Sequence, residues 1–504
     1  MNARKASWSF LDTSLERSFL WTLAITALPV ASGFVVSWVV ARFGGVTVIG
    51  TVSWVMSFAT MLLILGKFGL DLATSRLASE FGVAEPGKLR ALFAVGLRLR
   101  LMFTLTVAAA TFAFAGWLAR FFNEPLLAGP IRVGAIVVVC ASLYEFKENL
   151  LIGLNRFQTV YKVRSLHLGL RVVFTAVVVF LGAGATAILA GYCGAWVIAI
   201  ALYAVLLIRF LPSPDSLSDD DTRSLRRRLV RLSVALAVSS ASVTIYAHMD
   251  RLILGYFSGV NEVGQYAVAR NITEVTLFPV FAATMTLRPA LAARFSAGDR
   301  GECSRIIRKT LRFTLVSGVL FCSIFLVLGV PLVTLVFSDE FRYAGQLMVF
   351  FVWVIVMRSL GAVILPALVA AERTRLYAYL TTVSALIYFL MSVFLIPRFD
   401  SSGAVVATIV SYGVLLVWGL REVFAVYGVR LGWRPLTLVF RTVLAGAIAS
   451  GAAWWLIGET PGAPKVLLWA ALVSAFYLFL IFVLRVSTFS EIRGLWNNLR
   501  QQKE

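Results

Sequence analysis

The chain has 504 residues, of which 60% are apolar and only 14% charged. Soluble globular domains carry about 25% charged residues, so an ordinary soluble domain is excluded. The formal net charge is +21, and where the charges fall decides whether they serve a nucleic acid or a membrane.

Apolar runs recur in chain order, each long enough to cross a hydrocarbon core of about 30 Å as a helix. Fourteen spans are predicted: 19–42, 47–69, 97–119, 126–150, 160–182, 185–208, 230–258, 264–289, 310–332, 344–370, 376–396, 402–425, 436–458 and 464–485. The first run is too long for a signal-peptide core and no small-residue cleavage site follows it, so it is expected to stay as the first span. Residues 209–229 read as a polar cytoplasmic linker. Beyond the last span, Phe489, Ile492, Leu495, Trp496 and Leu499 recur at helical spacing with Arg493 and Arg500 between them. That pattern predicts a helix lying on the inner surface.

With residues 1–18 placed inside, 36 of the 46 Lys and Arg fall on the inner side and 6 outside. This is the positive-inside rule; it puts both termini in the cytoplasm and leaves no basic face for nucleic acid. The remaining four, Arg171, Arg251, Arg270 and Arg358, lie deep within spans.

Residues 43–50 read F-G-G-V-T-V-I-G, and 257–264 read F-S-G-V-N-E-V-G. Phe, Gly, Val and the final Gly recur, with Ile49 facing Val263, at an offset of 214. Residues 121–129, F-F-N-E-P-L-L-A-G, and 337–345, F-S-D-E-F-R-Y-A-G, share Phe, Glu, Ala and Gly at an offset of 216. All four phrases fall at outer turns, where glycine suits a tight reversal. Two phrases at nearly one offset indicate a duplicated block of six helices. Six is even, so the halves enter from the same side as a parallel repeat. The expected organisation is a six-helix half over 1–208, the linker, a second half over 230–425, and an extra helix pair with its tail over 426–504. The fold class is all-α, a polytopic membrane protein.

The stretch M-D-R-L-I-L-G-Y-F-S-G-V-N-E-V-G-Q-Y-A-V-A at 249–269 resembles the seventh-helix signature of bacterial polysaccharide flippases. A-R-F-G-G-V-T-V-I-G at 41–50, the phrase at 337–345, and I-P-R-F-D-S-S-G-A-V-V-A-T at 396–408 are similar to other phrases of those proteins. The family is the oligosaccharide-lipid and polysaccharide flippases of the MATE-like superfamily. The resemblance implies two lobes forming a V around a central cavity, and export of undecaprenyl-diphosphate-linked sugars across the bacterial cytoplasmic membrane. It implies as partners the lipid-linked oligosaccharide and membrane lipid, with polysaccharide polymerase machinery as a further candidate. No cofactor is implied. Spans thirteen and fourteen are expected to match the extra pair that forms a lipid-tail groove in lipid II flippases.

Such a cargo needs a cationic path, and arginine suits a diphosphate because its donors form a planar, permanently charged fork. Arg358, with no acid within a turn of it, and Arg171 are expected to face the cavity. Arg251 and Arg270 are further candidates for the diphosphate. Asp250 and Arg251 are adjacent, and Arg270 and Glu274 share a helix face; a cluster across spans seven and eight is expected. The competing reading makes these four mutually neutralising structural pairs. His167, four residues before Arg171, and His248 read as packed side chains. Lys67 and Asp71 are expected to form a local ion pair, and Glu145 and Glu148 to hold basic neighbours. Pro29 and Pro279 are expected to kink spans one and eight, where the resemblance implies a lateral lipid gate; Pro366 falls in span ten.

No P-loop, no H-E-x-x-H and only 2 histidines are present, so ATP drive, a zinc site and an enzymatic role are not expected. Two other readings stay open. A cation-coupled multidrug exporter would line its cavity with acids. A membrane glycan polymerase would carry long outer loops.

Overall fold

The computed structural model describes residues 9–211, 219–285, 287–429, 433–457, 463–484 and 486. Among them there is no strand. The helices are α1 (Ser9–Lys67), α2 (Leu70–Ala84), α3 (Lys88–Ala113), α4 (Ala115–Phe121), α5 (Ala128–Gly153), α6 (Phe157–Phe180), α7 (Ala185–Phe210), α8 (Asp219–Met285), α9 (Leu287–Ser296), α10 (Arg300–Val336), α11 (Arg342–Gly361), α12 (Ile364–Ala370), α13 (Thr374–Tyr427), α14 (Trp433–Ile457) and α15 (Ala463–Val483). Eleven segments are long and apolar enough to cross a membrane. Three of them, Thr26–Lys67, Ala247–Ser296 and Thr374–Tyr427, run for 42, 50 and 54 residues, so each holds two spans. Fourteen spans result, as the apolar runs require. The surface helix expected beyond residue 486 lies outside the described residues.

The chain forms two compact units, Met1–Ala267 with Ser392–Ser401, and Val268–Met391 with Ser402–Glu504. This boundary lies inside α8, whereas the repeat divides at the linker. The linker itself is shorter than its polarity suggests, because α8 already begins at Asp219. Asp219, Asp220 and Asp221 open that helix, where negative charge suits the helix dipole.

In the first unit, the repeated phrases make the reversals within α1 and α8. Gly45 has φ 81° and ψ 178°, and Gly259 has φ 81° and ψ 173°. That backbone region is open essentially to glycine alone. The two phrases also touch each other. Thr47 Oγ1 donates to Asn261 Oδ1 at 2.7 Å. A Cβ added to Gly50 would fall on the Val260 carbonyl and 3.0 Å from the Gly264 nitrogen; one added to Gly264 would fall on the Val46 carbonyl and 3.3 Å from the Gly50 nitrogen. Each contact becomes the other when 214 is added to one partner and subtracted from its mate. The two copies of the phrase are thus related by a local two-fold passing between them, which a duplicated origin explains.

The second phrase repeats in backbone form as well. Short 3-10 turns occupy Pro125–Leu127 and Asp339–Phe341, 214 residues apart, with Leu127 and Phe341 both buried. The geometric register thus differs by two from the letter match. Further on, Asn155 (φ 57°) and Glu372 (φ 61°) correspond at an offset of 217. The three surplus residues lie in span ten, where the helix breaks between Gly361 and Ile364. Pro366 explains the position: it has no N–H to offer the carbonyl of Ala362. Pro29 and Pro279 sit inside α1 and α8 without non-helical dihedrals at either.

Several charged groups near the helix ends of the first unit are paired. The sequence-adjacent pair Lys67–Asp71 does not form. Phe68 and Gly69 have φ 42° and 74°, so the helix is interrupted between the two and the i, i+4 geometry is lost. Lys67 instead meets Glu145. Asp71 accepts from Arg100 Nη1 at 2.8 Å, and Arg100, fully buried, also donates to Ser142 Oγ at 2.6 Å and to its carbonyl at 3.0 Å. Glu148 holds Arg164, and Lys147 donates to the Ile200 carbonyl at 3.2 Å.

In the second unit, α14 and α15 pack on α10. Leu315, Val319, Ala445, Ala449, Tyr477 and Ile481 form that core. Tyr477 Oη donates to the Val316 carbonyl at 3.0 Å. The four cysteines are free thiols; Cys140, Cys193 and Cys303 are buried.

Gly50→Ala should lower thermal stability in detergent by about 1–3 kcal/mol through overpacking, whereas Gly33→Ala, with nothing within 4 Å of the new methyl, should be neutral or better. Asp71→Asn should cost about 3–5 kcal/mol by stranding the Arg100 charge, and Asp71→Leu with Arg100→Met should recover much of it; melting curves of the purified variants check both.

Candidate functional site

The sequence singled out charges inside spans, and the two units hold them differently. In the second unit, α11 carries Arg358 and α8 carries Glu274. Their side chains form a bidentate pair, with Nη2 3.0 Å from Oε2. The sequence separation is 84 residues, which is why no local spacing foretold it. No acid lies within a turn of Arg358 on its own helix; Glu274 reaches it from α8. The guanidinium is also flanked by Phe281 from α8 and Tyr412 from α13, each ring centre 5.7 Å from Cζ. Rings at this distance offer their negative faces to the cation. The guanidinium side chain is 16% exposed and the carboxylate side chain 36%.

Arg270 lies one turn before Glu274 on the same face of α8 and acts electrostatically on Arg358. A second guanidinium thus lies close enough to the Arg358–Glu274 pair to act on it. The helix break follows within three residues of Arg358, and the Ala362 N–H still reaches the Arg358 carbonyl at 3.0 Å. Interrupted membrane helices are tolerated where neighbours or a cavity satisfy the freed backbone. Such a break beside a deep charge is a recurrent setting for transport sites.

Asp250 and Arg251 belong to the first unit. Asp250 is fully buried. Its Oδ2 accepts the Tyr266 hydroxyl at 2.6 Å, and its Oδ1 accepts the Arg251 backbone N–H at 2.8 Å. The Arg251 guanidinium donates to Ser57 Oγ at 3.1 Å, and His248 Nδ1 lies 3.4 Å from the same hydroxyl. Ser57 was invisible as a site residue, since one serine in an apolar run carries no signal.

Arg171 lies on α6 with its Cζ 5.5 Å from the centre of the Tyr192 ring of α7. Its Nε makes no hydrogen bond. Glu145, on the neighbouring α5, is engaged by Lys67. His167 is buried between Tyr144 and Trp196, ring centres 4.8 and 5.7 Å away. No group of three or more His, Cys, Asp or Glu with metal-binding geometry occurs among the described residues.

The helical order, the glycine reversals and the paired intramembrane charges can be set beside known proteins. The fold is shared with an inward-closed structure of the lipid II flippase MurJ (TM-score 0.72, 12% identity, 92% of this chain and 98% of that one). It is shared also with an inward-facing MATE-family multidrug resistance transporter (TM-score 0.65, 14% identity, 81% and 96%). Among curated proteins, a probable low-salt glycan biosynthesis flippase of Haloferax volcanii, Agl15, is 25% identical over 226 residues. That match spans 44% of this chain and about half, 48%, of the relative. An uncharacterized membrane protein of Methanocaldococcus jannaschii, MJ1068, is 22% identical over 76% of this chain and 80% of its own length. A MatE profile matches residues 235–395. The profile of the polysaccharide biosynthesis protein family matches residues 15–295, more than half of the sequence. This multi-pass membrane protein therefore belongs to the polysaccharide biosynthesis protein family.

Proposed function

We propose that this protein is a flippase that moves a polyprenyl-diphosphate-linked oligosaccharide across the cytoplasmic membrane by alternating access, with both termini inside. The carrying observation is the bidentate Arg358–Glu274 pair with Arg270 on the same face. Family membership and the glycan flippase among the relatives support the same reading.

The chemistry runs as follows. Removing one partner from a buried ion pair costs about 3–5 kcal/mol, but exchanging one anion for another does not. Two terminal oxygens of a diphosphate can accept the same bidentate guanidinium fork as the Glu274 carboxylate, with more charge. Arriving at the site, it takes over Arg358 and draws on Arg270, and Glu274 turns toward water. The pair thus acts as a placeholder that keeps the cation neutralised while the site is empty. Bound cargo shifts the conformational equilibrium only by its difference in affinity between the two states. A potential negative inside favours release of an anionic headgroup outward. Arg251 and Asp250, held by Ser57 and Tyr266, form a second polar station in the first unit. The duplicated halves, 1–208 and 230–425, are the elements proposed to rock, with Pro29 and Pro279 on the helices proposed to admit the lipid tail. The pair α14–α15 on α10 is proposed as its seat.

A cation-coupled exporter is the second reading, favoured by the MatE match. In a deletion strain, lipid-linked glycan confined to the inner leaflet supports the flippase. Drug hypersensitivity with normal glycan supports the exporter. Unpolymerised units on the outer leaflet would contradict both in favour of a polymerase.

Arg358→Ala should lower glycan export at least ten-fold, the loss of about 1.5–3 kcal/mol from charge-assisted hydrogen bonds. The Arg358→Ala/Glu274→Ala double variant removes the stranded carboxylate. It should insert normally and still fail to export; recovery of export by the double variant would make the pair purely structural.

A further inference from the structure

We propose that α5, α6 and α7 of the first unit enclose a binding site for a small inorganic anion of halide size, built on Arg171 and His167. The proposal does not depend on the cargo.

His167 and Arg171 are one turn apart on α6, and Trp196 and Tyr192 are one turn apart on α7. They meet as two rungs: the His167 ring lies along Trp196 at 5.7 Å with 21° between the planes, and the Arg171 guanidinium lies 5.5 Å from the Tyr192 ring centre. Tyr144 closes the other side of His167 from α5 at 4.8 Å. His167 is 4% exposed and Tyr144 6%. Yet Nδ1 and Nε2 of His167 and Nε of Arg171 are all buried without a hydrogen-bond partner in the protein. Buried polar atoms are almost always satisfied. Leaving one unmet costs about 1–3 kcal/mol, and more when the group is charged. Three such atoms on two side chains one turn apart mark a place where something else supplies the partner.

The charge balance says what that partner is. Helices α5, α6 and α7 carry only two carboxylates, Glu145 and Glu148. Glu145 is taken by Lys67, and Glu148 by Arg164 and the Tyr203 hydroxyl. Lys147 donates to a carbonyl. From Thr26 to Lys67, α1 has no acid; it presents Ser32, whose hydroxyl already donates to the Leu168 carbonyl at 3.5 Å. The Arg171 charge is therefore not balanced by a carboxylate of any helix packed around it. Arginine and one imidazole N–H are both donors, and donors around an unbalanced cation select an anion. The low exposure of His167 and Tyr144 suits a single ion and leaves no room for a lipid diphosphate.

The test uses the purified full-length protein in gluconate buffer, titrated with sodium bromide while the thermal midpoint is followed. A saturable rise is expected. Its apparent affinity should weaken at least ten-fold in Arg171→Gln and in His167→Phe, and stay unchanged in Ser474→Ala, which lies on α15. Bromide anomalous scattering from the wild-type protein, which needs no variant, should give a peak beside Arg171 Nε. Inorganic pyrophosphate forms a second arm. A rise with pyrophosphate and none with bromide would overturn the halide-sized assignment. Absence of both the bromide peak and the saturable shift would overturn the site itself.

Discussion

A charge in hydrocarbon must be answered inside the protein, and this constraint organises the structure. An arginine at the centre of a span costs about 2.5–3.5 kcal/mol on insertion scales before any partner is found. Arg358 finds Glu274, two aromatic faces and a broken helix beside it. Arg251 finds Ser57, and the buried Asp250 finds Tyr266. Arg100, fully buried, finds Asp71 and Ser142. The difference between structural and functional charge then lies in exchangeability. Arg100 is fully buried with every contact fixed. The Arg358 pair has a second guanidinium acting on it, and its carboxylate is over a third exposed.

Duplication supplies the frame that holds these charges. The two glycine phrases form the reversals at Gly45 and Gly259 and meet each other at Gly50 and Gly264. Close backbone approach there requires positions without side chains. The halves then diverge where chemistry differs. Span four is one continuous helix of 26 residues, α5. Its counterpart in the second half carries three more residues and is split after Arg358. The break thus belongs to the second copy alone, and it sits beside the charge proposed to meet the cargo.

Much of this was legible in the residues. The fourteen spans follow from run length, and the repeat follows from two short phrases. The kink in span ten follows from Pro366. What local pattern could not show is which charges meet across helices. Glu274 looked like a partner for Arg270 because both lie on one helix face. Lys67 and Asp71 looked like a pair because they are four apart. The first case is decided by α11 packing against α8, and the second by positive φ at Phe68 and Gly69. Both depend on tertiary geometry, where a neighbour from a distant segment competes with the one next door. The orphaned atoms of His167 and Arg171 were legible only as a histidine and an arginine on one face. Their lack of partners needed the surrounding helices.

The most direct measurement is equilibrium binding of a short-chain isoprenyl diphosphate to the purified protein. Glu274→Gln, which withdraws the competing carboxylate but keeps its shape, should tighten binding several-fold, and Arg358→Gln should weaken it at least ten-fold. Equal affinity in both variants and the parent would contradict the exchange of Glu274 for a diphosphate on Arg358.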